Sequence, residues 1–149
     1  MAVLNWGKPK IEIALLGADG TPGAWTEVDT PKQDTTQLTT EKGDKKEALE
    51  EGGGVVDAKY NKSKYSLVFQ LFAKKGKTKP IMDDDGVVLG NYAVRITPED
   101  PTATGWQMMK CNVSVVDTWS AEEGQLWEYT FDGLVPDGGG KILQEYTAP

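Results

Sequence analysis

Apolar residues recur at every second position in several stretches of this sequence, and this period of two restricts the fold more than any other feature. In residues 65–72, Leu67 and Phe69 fall on one side of an extended chain, while Val68 and Phe72 fall on the other. Successive side chains of a β-strand point to opposite faces, so the pattern predicts a strand with apolar groups on both faces. Such a strand is expected inside a sheet, with neighbours on both sides.

Four other segments carry the same alternation or end with residues that stop a strand. The segment 86–96, for example, ends at Thr97 and Pro98, and proline cannot continue a ladder of hydrogen bonds. Helical patterning is scarce by comparison, so a mostly β protein is predicted. The remaining predicted strands span residues 10–16, 106–116 and 126–134, with a short last strand after Lys141.

Length and charge narrow the class of protein further. A chain of 149 residues, of which 38% are hydrophobic, fits one domain, residues 1–149. The formal net charge of -7 disfavours proteins that bind nucleic acid or anionic lipid headgroups. No apolar run approaches the roughly 20 residues that a membrane-spanning helix needs, and no secretion signal is expected. The single cysteine cannot form an internal disulfide.

Residues 30–61 form a long polar segment rich in Thr, Lys, Glu and Gly. Residues 44–51 have the composition of a helix, yet Ala48 and Leu49 alone would be available for burial, so a core helix is not expected there. Residues 36–41 have the alternating pattern of a strand, and residues 55–60 follow three glycines. The segment can therefore be drawn as a hairpin. Because a polar segment of this length is usually functional or disordered, we predict a projecting arm that pairs with a neighbouring subunit.

The sequence offers little for catalysis or for binding a cofactor. It contains no histidine, which removes the commonest general base and the commonest metal ligand. Cys111 lies within a strand pattern, where a buried small side chain is expected rather than a nucleophile. The acidic run 83–85 lacks the spacing of a calcium loop, and the glycines at 138–140 lack the spacing of a phosphate loop. We therefore predict no enzyme activity, no cofactor, no metal and no small-molecule substrate.

Aromatic content leaves a second function open. Tryptophan faces complement the apolar faces of sugar rings, so tryptophans on a β scaffold can form a carbohydrate-binding platform. Most of the tryptophans here fall in or beside strand patterns, where packing in the core is commoner. A non-catalytic carbohydrate-binding β-sandwich module is therefore the alternative hypothesis. The five tryptophans are Trp6, Trp25, Trp106, Trp119 and Trp127.

The order of these elements resembles that of the major tail tube proteins of tailed bacteriophages and of phage-derived injection systems. The resemblance is to the short, single-domain forms found in prophages, and it spans nearly the whole chain. It rests on the order of six segments: residues 6–11, the polar arm at 39–47, residues 50–53, residues 64–67, residues 90–95 with 97–100, and the aromatic segment 126–131.

The resemblance implies an antiparallel β-sandwich or half-open β-barrel with a short helix and a long projecting hairpin. Six subunits would close into a ring, the rings would stack into a hollow tube, and the hairpin would bridge successive rings. Residues 35–54 match that hairpin by position, and residues 80–85 are the place for a turn of the short helix. The resemblance places seven residues at a subunit interface: Thr39, Lys42, Gly43, Asp44, Lys45, Glu47 and Glu51.

The partners and location implied by the resemblance follow from this assembly. The chain would bind copies of itself and other tail proteins, and it would be assembled in the bacterial host cytoplasm as part of a virion tail. DNA would be a cargo to which an acidic wall does not stick, and no membrane would be bound. Deletion of residues 42–53 is expected to leave folding intact and to block polymerisation.

Overall fold

The protein is mostly β and antiparallel. The computed structural model describes Leu4 and residues 6–147, and within this part of the chain it contains ten strands and no helix. The strands are β1 (Lys10–Leu15), β2 (Thr26–Glu27), β3 (Gln37–Glu41), β4 (Lys45–Leu49), β5 (Val55–Tyr60), β6 (Lys64–Phe72), β7 (Tyr92–Thr97), β8 (Gly105–Ser120), β9 (Gly124–Gly133) and β10 (Leu143–Tyr146).

Eight of the strands form one large sheet with β8 at its centre. The strand order is β2-β1-β7-β8-β9-β6-β3, with β10 also paired to β8. Strand β8 is 16 residues long. Its first half pairs with β7 and β10, and its second half, from Cys111 to Ser120, pairs with β9. The sheet therefore has two wings that share β8: a first wing with β1, β2, β7 and β10, and a second wing with β9, β6 and β3.

A chain segment draws the outer strands of the two wings toward each other. The outermost strands, β2 and β3, are consecutive in sequence although they lie at opposite ends of the strand order. Between them, the N–H of Val28 donates to the carbonyl of Ile11 in β1 (3.0 Å), and the N–H of Lys32 donates to the carbonyl of Gln70 in β6 (2.8 Å). The sheet thus curls around one core, and the predicted sandwich or half-open barrel is confirmed.

The core is a single cluster of side chains from the inward faces of both wings. Strand β6 buries Leu67, Phe69 and Leu71, and the Phe69 ring stacks on Tyr129 and Phe131 with centroids 5.8 and 5.7 Å away. As predicted, β6 has neighbours on both sides, but Phe72 on its outward face is exposed. The other buried members include Ile11, Ile13, Val28, Ile81, Val94, Ile96, Met108, Cys111, Val113, Val115 and Trp127.

Two expectations for residues 80–96 were wrong. Residues 80–85 contain no helix: Asp84 bridges Val87, and Asp85 has a positive φ of 50°. Three successive aspartates at 83–85 are poor helix formers and favour turns, so the chain turns here instead. The strand predicted over 86–96 begins only at Tyr92, because Gly90 turns the chain with a φ of 81°.

The connection between β6 and β7 caps one end of the core. Its residue Ile81 is 1% exposed, although it belongs to no strand. The buried Tyr129 hydroxyl donates to the carbonyl of Ile81 (3.0 Å), which fixes the connection to β9. Lys79 adds an ion pair to Asp83 (2.7 Å), whose side chain is nearly buried. This end of the core therefore depends on a few specific contacts in an irregular segment.

We expect Tyr129→Phe to reduce the free energy of unfolding by about 1–3 kcal/mol, because it leaves the buried carbonyl of Ile81 without its donor. Chemical denaturation of the two proteins measures the difference. Tyr65→Phe is the matched control, since Tyr65 is only half-buried and its hydroxyl makes no hydrogen bond that the structure shows. Equal losses for both variants would contradict the role given to the Tyr129 hydroxyl.

Candidate functional site

The predicted arm is a separate two-stranded hairpin outside the main sheet. Within the described residues, strands β4 and β5 pair only with each other, and every residue in them is exposed. The base of the arm is the pair β3–β6, which belongs to the second wing. The projecting part therefore starts after β3, and residues 30–41 of the predicted arm belong to the main sheet or to the crossing segment.

The pairing within the arm differs from the hairpin drawn from sequence. Residues 55–60 pair with β4, whose composition is helical, and residues 37–41 pair with β6. Three glycines at 52–54 let the chain reverse between Leu49 and Val55, and Gly52 and Gly53 both have positive φ. Once the chain reverses there, Lys45–Leu49 is the only segment opposite β5, and cross-strand hydrogen bonds override its helical propensity.

A tight joint separates the β4–β5 hairpin from the main sheet. The N–H of Asn61 donates to the carbonyl of Asp44 (2.8 Å), so the two chains stay paired there. A Cβ on Gly43 would overlap the carbonyl oxygen of Asn61 and crowd that of Lys62. Glycine at position 43 is therefore a steric requirement of the joint, because backbone atoms occupy the space of a side chain.

Two lysines gather around one tyrosine next to this joint. The ammonium of Lys42 lies 4.5 Å from the centroid of the Tyr60 ring, and that of Lys45 lies 5.9 Å from it. Lys45 also pairs with Glu47 (2.9 Å). Exposed contacts of this kind contribute little to stability, so they orient the side chains at the foot of the hairpin without making it rigid.

The hairpin also displays apolar side chains that remain largely exposed. Leu49, Val55, Val56 and Tyr60 are each more than half exposed. A two-stranded hairpin is only marginally stable in water on its own, and exposed aliphatic groups add no stability until they are buried. These properties are typical of a segment that contacts another molecule.

Six of the seven residues predicted at an interface belong to this projecting unit. Lys42, Gly43 and Asp44 form one side of the joint. Lys45 and Glu47 lie in β4, and Glu51 lies in the turn at the tip. Thr39 lies apart from them, in the edge strand β3. Sequence reasoning did not place the exposed apolar residues at the interface, although Leu49 before the glycines and Val55 and Val56 after them were visible in the sequence.

A second unusual surface lies at the edges of the second wing. On one side this wing ends at β3, which pairs with β6 and with no other strand in the part of the chain that the structure describes. On the other side it ends at the second half of β8: the N–H of Val115 donates to the carbonyl of Gly86 (3.4 Å), and no further backbone partner follows within the described chain. Because strand residues alternate in direction, the N–H and C=O of Asp117 and Trp119 point to this open edge.

The outward face between these two edges is mostly polar, although Phe72, Val116 and Leu126 form an apolar patch on part of it. The hydroxyl of Ser66 donates to Asp132 (2.6 Å), and the amide of Gln70 donates to Glu128 (3.3 Å). Thr130 and Ser114 pair across strands on the same face. The polar part of this face does not pack on a core, so it can face solvent even when the edges are joined to other strands.

The five tryptophans, all within the described residues, do not form one platform. Trp127 is 8% exposed, and the face of Trp25 is covered by the Arg95 guanidinium, 4.1 Å from the ring centroid. Trp106 and the 73% exposed Trp119 lie near opposite ends of β8, roughly 40 Å apart along the strand. Trp6 is also exposed, so exposed indole rings exist but they are dispersed.

The thiol of Cys111 is buried, as the sequence predicted. It is 0% exposed, and burial raises its pKa to about 12, with a further contribution from the charge of Asp132. In the acidic run 83–85, Asp83 accepts from Lys79 and from the N–H of Gly86, and the Lys79 contact holds the pKa of Asp83 below its usual value. Both groups are thus engaged in the fold.

The burial of Cys111 gives a pH dependence that can be measured. Its folded pKa is raised, so the unfolded thiol loses its proton first and stability falls as pH rises above about 9. We expect Cys111→Ala to be less stable at pH 8 but to lose less stability between pH 9 and 10, by up to about 1.4 kcal/mol per pH unit. Urea denaturation at three pH values measures how the free energy of unfolding of each protein changes with pH. Identical pH dependence for the two proteins would contradict the expectation.

Within the residues that the structure describes, no group of three or more His, Cys, Asp or Glu side chains is arranged to hold a metal ion. The same residues include no helix that is long and apolar enough to cross a membrane. The chain matches no protein-family model, and no curated protein is significantly similar to it. Its function must therefore be argued from the two surfaces described above.

Proposed function

We propose that this protein is a structural subunit that assembles into hexameric rings, which stack into a hollow phage-like tail tube. The observation that carries the proposal is the second wing, whose four strands have an open edge on each side within the described residues and a mostly polar outward face. Open edges with unpaired N–H and C=O groups are templates for pairing with another chain.

The two open edges differ, and this difference favours rings. One edge is β3 and the other is the Val116–Ser120 part of β8. A contact between two different surfaces is head-to-tail, and it closes into a ring when the rotation per subunit divides a full turn. Joining β3 of one copy to β8 of the next would continue the second wing around the ring and would leave neither of these two edges open.

The resulting barrel would be wide enough for a polymer cargo. Four strands from each of six copies give about 24 strands, and a spacing of about 4.8 Å makes the circle of backbones roughly 37 Å across, or more with strand tilt. The polar outward face would line the channel. Glu41, Glu128 and Asp132 outnumber Lys64 on this face and leave it net negative, so DNA would pass without sticking.

The β4–β5 hairpin supplies a contact of a different kind. It is exposed throughout, and it carries uncovered apolar residues away from the main sheet. In the proposed tube it bridges successive rings, with Lys42, Gly43, Asp44, Lys45, Glu47 and Glu51 at the interface and Thr39 at the ring edge. The partners are copies of the same chain and other tail proteins, and the place is a virion tail built in a bacterial cytoplasm.

Sedimentation velocity across a concentration series, followed by negative-stain imaging of large species, tests the proposal. Rings or hollow tubes are the expected result. A preformed ring of another tail protein is then added as an initiator. This addition tests whether the subunit polymerises only when an initiator is present. Strictly monomeric protein under both conditions would overturn the proposal, and glycan binding followed by tryptophan fluorescence would then test the carbohydrate-binding alternative, which the exposed Trp6 and Trp119 keep open.

A further inference from the structure

Charge is segregated along the β4–β5 hairpin. Its distal part, residues 47–57, has no Lys or Arg and carries the four acidic residues Glu47, Glu50, Glu51 and Asp57. The lysines lie toward the joint, at positions 42, 45, 46, 59, 62 and 64, with Asp44 and Glu41 among them. The hairpin is therefore a rod with an acidic, apolar tip, since Leu49, Val55 and Val56 are exposed in the same region.

A groove of complementary character opens at the foot of the same hairpin. It has a volume of about 530 Å³ and lies between the joint and the chain that leads into β10. Tyr65, Ile142 and Leu143 give it an apolar wall that packs against the core, and Lys62 and Lys141 supply positive charge. No carboxylate lines it, and neither lysine forms an ion pair within the described residues.

The tip of a hairpin cannot fill the groove of its own subunit. Lys62 lies next to the joint, whereas the tip lies beyond the six residues of β5, roughly 20 Å further along the strand. The occupant that matches the groove in charge and in apolar character is therefore the tip of a second copy. A tip that enters the groove of the next copy leaves one free tip and one free groove at the ends, so the contact repeats without closing.

We infer that the acidic, apolar hairpin tip of one subunit docks into the basic groove formed by Lys62, Tyr65, Lys141, Ile142 and Leu143 of a subunit in the neighbouring ring. This inference rests on the proposed tube, and it assigns the surface on which the bridging hairpin sits. Glu50 and Glu51 meet Lys62 and Lys141, while Leu49, Val55 and Val56 cover the apolar wall. Charge complementarity at such a contact sets partner choice and register.

A charge-exchange experiment tests this docking. In the tip variant Glu50→Lys/Glu51→Lys, two lysines replace the two carboxylates that would meet the basic groove, and residues 47–57 become neutral overall. The groove variant Lys62→Glu/Lys141→Glu has an acidic tip and an acidic groove. Each alone is expected to lose at least about tenfold of its polymerised fraction, because like charges oppose docking. When rings of each variant are formed separately and then mixed in equal amounts, they are expected to regain tubes in which the two variants alternate from ring to ring.

The control is Lys74→Glu/Lys75→Glu, which makes the same change of charge at two exposed lysines outside the groove and is expected to polymerise normally. Recovery in the mixture also proves that both variants are folded. If each variant polymerises like the wild type, or if folded variants stay unassembled when mixed, the docking is wrong although the tube stands. If the wild type itself never assembles, the proposed function fails first.

Discussion

A variant in which residues 45–60 are replaced by an Asn-Gly turn is expected to fold like the wild type and to form no stacked tubes. The N–H of Asn61 already donates to the carbonyl of Asp44 (2.8 Å), so a two-residue turn spans the joint. Because every residue of β4 and β5 is exposed, their removal should change the free energy of unfolding by less than about 1 kcal/mol. Single rings or monomers should remain.

The choice of residues to delete affects the expected result. Deletion of residues 42–53, which the sequence suggests, would leave β5 without its partner and would remove Gly43 from the joint. A matched control replaces residues 45–60 by the same number of Gly and Ser residues, which keeps the length and removes the strands. Thermal unfolding, sedimentation velocity and negative-stain imaging compare the three proteins, and normal tubes from either variant would show that the hairpin does not bridge rings.

Trp119→Pro is expected to abolish ring formation while leaving the subunit folded. The N–H of residue 119 points to the open edge of β8, away from β9, so its loss breaks no hydrogen bond within the subunit. The indole is 73% exposed, and its removal opens no cavity. In the proposed ring the same N–H pairs with β3 of the next copy, where proline cannot take part.

Two control variants separate the backbone effect from other effects. Trp119→Ala keeps the N–H and should still form rings, whereas Thr118→Pro removes an N–H that faces Leu126 in β9 and should lower the melting temperature of the monomer. Analytical ultracentrifugation gives the oligomeric state, and thermal unfolding gives the stability. Rings from Trp119→Pro, or their loss in Trp119→Ala, would mean that this edge does not join subunits through its backbone.

Local alternation determined much of the fold and part of the candidate site. The strands at β1, β6, β8 and β9 follow from the period of two, because burial of one face requires it. The exposure of the hairpin was predictable for the same reason, since residues 44–51 offer almost no apolar stripe. The burial of Cys111 also followed from its place in an alternating segment.

Which strands pair with each other depends on segments that are far apart in the sequence. Lys45–Leu49 has the composition of a helix but forms a strand, because the glycine turn places β5 beside it. Strand β3 pairs with β6, which lies more than twenty residues away in sequence. The groove at Lys62 and Lys141 has no local signature, because its two walls come from segments that meet only after β8 has paired with β10.

The sequence by itself therefore determined that this chain is built from strands, which faces of them are buried, and that a polar segment is left outside the core. Only the tertiary structure decided that β8 serves two wings, which edges stay open and where the acidic tip has a basic counterpart. The physical reason is that alternation is a local property set by burial of one face. Strand order, open edges and grooves depend on contacts between residues far apart in the chain, whose register no single segment encodes.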